Sequence, residues 1–252
     1  MEFIEACLMN AEASGGDLQQ RLSSLHRMGV HHLIFSDFFG LRRFSREAEG
    51  LKTPVGCLNV ISGPRIESIE MLWNIMNYYD LFSIFLKYYG TVSDEDFKDA
   101  LYRCFSLTDN VGCALETKAI SSFGFDDIVR TVQDEFNVKQ FLIQDSEGLL
   151  QPEETFRCLR EIRSKVSGVS KIFYFPNNQH QLGMMNALHA MRLNIDGLAG
   201  SVLKGRCEDA NVINFMDLYL LYQQKRDGLF SKRASKIVDH AFESLLRGAE
   251  EE

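Results

Sequence analysis

Short apolar runs rich in Val, Ile, Leu and Phe recur along the chain, and longer stretches of helical periodicity separate them. Strands are predicted at residues 3–9, 32–36, 55–60, 81–86, 111–116, 140–144, 172–175 and 195–199. These runs lack clean alternation, which suits strands covered on both faces. Amphipathic helices are predicted between them, among others at 18–27, 66–78, 94–105, 125–136, 152–166 and 182–192. Pro152 followed by Glu153 and Glu154 is a well-formed helix start, since Pro needs no N–H there and acids suit the positive helix end. Strand and helix alternate from end to end, the pattern of a parallel α/β architecture. Eight such units fit a single (β/α)8 TIM barrel over residues 1–224. An open doubly wound sheet is the competing arrangement, but no G-x-G-x-x-G turn follows the first strand. Residues 225–252 form a C-terminal extension, in which Ile237, Val238, Ala241, Phe242, Leu245 and Leu246 mark one face of an extra helix at 231–248. That helix is expected to pack on the barrel or on a second copy. A dimer is expected through the face around Phe242 and Leu245 or through barrel helices.

Composition narrows the classes. Of 252 residues, 45% are hydrophobic, ample for one core, and no Pro-, Gly- or Ser-rich linker divides the chain. The net charge of −8 and pI near 5.3 give no basic footprint for nucleic acid. No apolar run approaches the roughly 20 residues that cross a bilayer, and the start, Met1-Glu2-Phe3-Ile4-Glu5, has no signal-peptide pattern. A cytoplasmic protein without membrane or nucleic-acid partners is expected. The six cysteines, Cys7, Cys57, Cys104, Cys113, Cys158 and Cys207, show no C-x-x-C spacing and read as reduced, mostly buried thiols.

The chemistry of such a barrel lies at the C-terminal strand ends. After the sixth strand stands Gln144-Asp145-Ser146-Glu147-Gly148, leading to Pro152-Glu153-Glu154. After the seventh stand Phe175-Pro176-Asn177-Asn178 and, further on, Asn186; around the eighth stand Asp196-Gly197 and Asn211. This order resembles the barrel family of 3-hydroxy-3-methylglutaryl-CoA lyase, 4-hydroxy-2-oxovalerate aldolase and isopropylmalate synthase. The family's motifs are D-T-x-G-x-x-x-P-E-E, then F-H-x-H-N-D-x-G-x-x-x-A-N, then a Gly-rich stretch ending in Asn. The resemblance implies an aldolase or acyl-lyase ancestry. It also implies a degenerate metal site, because Phe175 and Asn177 stand at the two histidine positions. At the first strand, Met9 and Asn10 stand where the family has its Arg and metal-binding Asp, and Ile34 replaces an acid on the second. Methionine neither donates a hydrogen bond nor carries charge, so stabilisation of a developing enolate is missing there. No metal or cofactor is expected.

Several retained groups could still do chemistry. Asp145 either faces the site, as the resemblance implies, or organises its turn. His180 is a candidate for proton transfer or a surface histidine. Lys87 and Lys118, at strand ends, could form a Schiff base with a carbonyl substrate, or pair with an acid such as Glu116. Asn10, Glu116, Asn177, Asn178 and Asn211 are candidates for substrate binding, and Asn211 alternatively caps the last barrel helix. Two functional readings follow. One is an enzyme acting on a small oxo acid or acyl metabolite without metal. The other is a non-catalytic barrel serving as a binding or partner subunit, as a homodimer or beside an active relative. A mouth plugged by Phe175, Phe38 and Phe39 would favour the second.

Overall fold

A computed structural model describes residues 1–6, 15–35, 43–44, 46, 56–61, 82–88, 94–120, 125–202, 211–224 and 232–249. In chain order come β1 (Glu2–Glu5), α1 (Gly15–Arg27), β2 (Val30–Phe35), β3 (Gly56–Ile61), β4 (Phe82–Tyr88), α2 (Asp94–Phe105) and β5 (Val111–Glu116). There follow α3 (Thr117–Ile120), α4 (Phe125–Asp134), β6 (Gln140–Gln144), α5 (Pro152–Lys165), β7 (Lys171–Phe175) and α6 (Gly183–Arg192). The chain ends with β8 (Gly197–Gly200), α7 (Phe215–Gln224) and α8 (Lys232–Ala249). The eight strands are parallel and pair in sequence order, and β8 pairs back to β1, so the sheet closes as the eight-unit reading requires. Among the described residues no helix is long and apolar enough to cross a membrane.

Two separate apolar clusters follow from closure. The larger lies between sheet and helices. The smaller fills the barrel with Ile4, Ile34, Phe85, Ala114, Leu142, Phe173 and Ala199. Because side chains alternate along a strand, this cluster is the middle of three inward tiers. Two residues earlier on the same strands lie Glu2, His32, Ser83, Gly112, Gln140, Lys171 and Gly197, the floor. Two residues later lie Ala6, Lys87, Glu116, Gln144, Phe175 and Ser201, the mouth. Large and small residues interleave. A Cβ on Gly197 would sit 2.6 Å from Phe173 Cδ1, and one on Gly112 would sit 2.5 Å from Phe85 Cε1, so each glycine makes room for a ring.

Local rules explain most element ends. Helix α5 begins at Pro152, and the Glu154 carboxylate accepts the Gln151 N–H at 2.9 Å, reinforcing the predicted start. Strand β8 starts two residues later than predicted. Asn194 turns the chain in the left-handed region (φ 51°), and the Asp196 carboxylate is engaged by the Ile172 N–H and by Arg163, both at 2.8 Å. Ile195 and Asp196 therefore belong to the turn. Strand β1 ends at Glu5 rather than running to residue 9, and residues 7–10 lie outside the described residues. So does the predicted helix at 66–78, and so do Phe38 and Phe39.

Helix α8 packs its apolar face on the chain's own barrel. Phe242 contacts the rings of Phe3, Tyr219 and Tyr222, at centroid distances of 5.3, 5.0 and 5.9 Å. Phe242 and Leu245 are each only 1% exposed, buried against the chain's own barrel.

Candidate functional site

The mouth tier carries the polar chemistry. Lys87 extends inward from β4, with its side chain 14% exposed, and pairs with Glu116 on β5. Glu116 is almost fully buried and its Oε1 also accepts from Ser146 Oγ at 2.5 Å, while Oε2 accepts the Ser146 N–H at 3.4 Å. Lys87 Nζ in turn donates to Ser146 Oγ at 3.3 Å. Ser146 follows β6, so three consecutive strand ends are tied together through one carboxylate. These groups border a cavity of about 240 Å³, lined by Lys87, Gln144, Asp145, Ser146, Phe175, Pro176, Asn177, Asn211 and Val212.

The two candidate lysines differ in placement. Lys118, in α3, is 60% exposed and pairs with Glu147 at 2.7 Å. It does not line the cavity; Lys87 does.

Asp145 is buried but points along the loop as much as at the cavity. Its Oδ1 accepts the Gly148 N–H at 3.0 Å, and Gly148 holds a positive φ of 65° that this turn needs. Burial pushes its carboxyl above the ordinary range, against the lowering effect of the Gly148, Leu150 and Leu149 N–H groups. Its Oδ2 has no hydrogen-bond partner. Behind it, burial raises the Tyr174 phenol, and raises the Cys158 thiol to about 12. Cys104, Cys113 and Cys158 are free thiols.

The β7 loop braces the mouth. Asn177 Nδ2 donates to the Ser146 carbonyl at 2.8 Å, and its Oδ1 accepts the Gln179 N–H at 2.7 Å. The Asn178 N–H donates to the Asn211 carbonyl at 2.7 Å, joining the β7 loop to the segment before α7. Asn211 does not cap α7. That role falls to Asn214, whose Oδ1 accepts the N–H groups of Met216 and Asp217 at 2.8 and 3.3 Å, because Asn214 directly precedes the first helical turn. Asn186 is fully buried and donates to the Leu150 carbonyl at 2.9 Å, fastening α6 to the loop after β6. His180 is exposed in a turn and does not line the cavity. Asn10 lies outside the described residues.

Phe175 packs against the barrel's inner cluster and walls the cavity. Its ring has no donor atom for a cation, and the Asn177 amide is engaged at both ends. Among the described residues, no three His, Cys, Asp or Glu side chains come together as a metal site would require. Gln144 and Ser146 were not singled out from the sequence. Counting two residues on from Leu142 would have found Gln144, had the apolar run Phe141-Leu142-Ile143 shown which face points inward.

Solved structures of known proteins share this TIM-barrel architecture. The chain superposes on HMG-CoA lyase of Bacillus subtilis at 15% identity and a TM-score of 0.65, covering 99% of this chain and 91% of that one. The N-terminal domain of an aldolase candidate from Bacteroides vulgatus gives 15% identity and a TM-score of 0.67, with 98% and 87% covered. The carboxyl transferase domain of Rhizobium etli pyruvate carboxylase gives 10% identity and a TM-score of 0.67; this chain spans 47% of that one. The resemblance read from the sequence thus holds at the level of fold. No family model matches the chain, and no curated protein matches it.

Proposed function

We propose that this chain is an aldolase- or lyase-like barrel without the family's divalent-metal site, acting on a small oxo acid or acyl metabolite by metal-independent carbonyl chemistry, with Lys87 as the group that meets the carbonyl. The observation that carries this reading is the inward Lys87–Glu116 pair beside a cavity at the C-terminal strand ends. The residue types at the former metal positions, Asn10, Phe175 and Asn177, support the metal-free part of the reading.

The chemistry balances within these groups. Lys87 gives a proton to Glu116 and becomes a free amine, which adds to the carbonyl carbon of the oxo acid. The carbinolamine then leaves as an imine, its oxygen departing as water with the proton returned from Glu116. Ser146, bonded to both, holds the carboxylate in place for this exchange. Asn177, Asn178 and Asn211 shape the polar rim.

Borohydride reduction in the presence of pyruvate, followed by peptide mapping, tests the reading. The expected result is one added three-carbon unit on Lys87, absent in Lys87→Arg, with Lys118 unmodified. No adduct on the native protein removes the imine mechanism.

Phe175, packed on the inner cluster where a ligating side chain would stand, favours the second reading, a non-catalytic binding or partner subunit. In that case the ammonium of Lys87 anchors a carboxylate, and pyruvate binds without being trapped.

A further inference from the structure

We infer that Gln144 reads a hydroxyl group on the ligand, so that the mouth cavity takes a short hydroxy carboxylate in preference to the same carboxylate without the hydroxyl. The inference rests on the mouth being a ligand site. Gln144 pairs in register with Glu116 on one side and Phe175 on the other, which sets its side chain between the ion pair and the aromatic wall. It is 4% exposed, lines the cavity, and its Oε1 has no hydrogen-bond partner.

Its neighbours do not satisfy it. Glu116 is engaged by Lys87 and Ser146, and the Asn177 amide is engaged at both ends. A buried polar atom left unpaired costs about 1–3 kcal/mol, and native proteins leave few of them. A ligand group that reaches this tier and bonds the amide recovers that cost. A carboxylate is the wrong partner, since it only accepts. An ammonium would face Lys87 on the same tier, a like charge. A hydroxyl donates to Gln144 Oε1 without bringing a second charge beside Lys87. With Lys87 drawing the carboxylate and Gln144 the hydroxyl, the ligand carries both groups. The cavity of about 240 Å³ is small beside the common range of roughly 300–1,000 Å³, which selects a short chain.

Two matched pairs of probes test this: 3-hydroxybutyrate against butyrate, and lactate against propionate, titrated by ligand-observed NMR. The native protein is expected to bind the hydroxylated member of at least one pair about 5- to 150-fold more tightly, the range a recovered buried hydrogen bond spans. In Gln144→Met, which keeps the volume and removes both polar atoms, that ratio is expected to fall to about one. Equal affinities within both pairs on the native protein overturn the inference without any variant, as does a ratio unchanged in Gln144→Met. Neither hydroxy acid has a ketone, so these titrations are independent of imine trapping. A trapped pyruvate with no hydroxyl preference leaves the proposed function and removes this inference; a hydroxyl preference without trapping does the reverse.

Discussion

The two ends of the barrel use the same residue pair for different ends. On the floor, Glu2 meets His32 at 3.0 Å and Lys171 at 3.1 Å. At the mouth, Glu116 meets Lys87 and Ser146. Glu2 joins β1 to β2 and β7, and Glu116 joins β5 to β4 and the end of β6, but their surroundings differ. Lys171 is 51% exposed, whereas Lys87 is 14% exposed. Directly above the floor pair the barrel is closed by Phe173 and Phe85, packed edge to face with centroids 6.1 Å apart. Beside the mouth pair there is a cavity and, in Gln144, a buried amide oxygen without a partner. Charge at the floor works against water and fastens strands; charge at the mouth sits against a space a ligand can enter.

The largest expected effect comes from breaking each pair from its lysine side. Lys87→Met leaves Glu116 buried and uncompensated and should lower stability by about 3–5 kcal/mol. Lys171→Met removes a solvent-screened partner and should cost about 1 kcal/mol or less. Chemical denaturation of both variants measures the contrast, and adding Glu116→Gln to Lys87→Met should recover most of the loss. Equal losses from the two lysine variants would show that burial does not distinguish the two ends.

Next in size is steric. Gly197→Ala forces a methyl against Phe173 and should destabilise by about 1–3 kcal/mol. Phe173→Leu in the same chain should relieve part of it, and thermal unfolding of the single and double variants measures the coupling.

The ends also differ in how legible they were beforehand. Strands β5 and β6 lie where the apolar runs put them, residue for residue, because polar residues bound both runs: Asn110 and Glu116 for β5, Gln140 and Gln144 for β6. Lys87 and Glu116 stood out as charges closing apolar runs. Which candidate lysine turns inward was not legible, since that depends on a fixed alternation in β4 against a short helix turn carrying Lys118 after β5. Asp145 was legible as a motif acid with a site role and a turn role both open, and the sequence did not decide between them. Its bond to the Gly148 N–H requires the left-handed backbone of Gly148, which a linear motif does not display. For Asn211 the sequence left substrate binding and helix capping both open; the cap is Asn214, three residues further on and adjacent to the helix.

Asp145 supplies a smaller, pH-dependent effect. Burial raises its folded-state pKa above the ordinary 3.8, so the folded state holds its proton more tightly than the unfolded chain. Stability associated with this group is therefore greatest below the unfolded value and falls as pH rises through the folded one. Asp145→Asn keeps an oxygen for the Gly148 N–H and removes the buried charge, so at pH 7 it should be neutral or stabilising by about 1 kcal/mol. A loss of several kcal/mol at pH 7, read by denaturant midpoints across pH, would mean that the charge itself is needed.

The smallest effect belongs to the floor carboxylate. The hydrogen bond from His32 is the main cause holding the Glu2 carboxyl at about 2, below the ordinary 4.5, with Lys171 adding to it. The stability it contributes is present above 4.5 and is lost as pH falls toward 2. Because Glu2 is partly exposed, that contribution is about 1 kcal/mol or less after solvent screening. Glu2→Gln should flatten acid unfolding between those values by this amount, and acid titrations of the two proteins compared by circular dichroism measure it.

The central claim is that the mouth takes a ligand and the floor does not, and thermal unfolding across a pyruvate series tests it most directly. At about a hundredfold excess over its dissociation constant, pyruvate should stabilise the native protein and Lys171→Met alike, by about 2.7 kcal/mol. It should leave the paired variant Lys87→Met with Glu116→Gln unchanged. An equal rise in that paired variant, or no rise in the native protein at any concentration, would contradict the account.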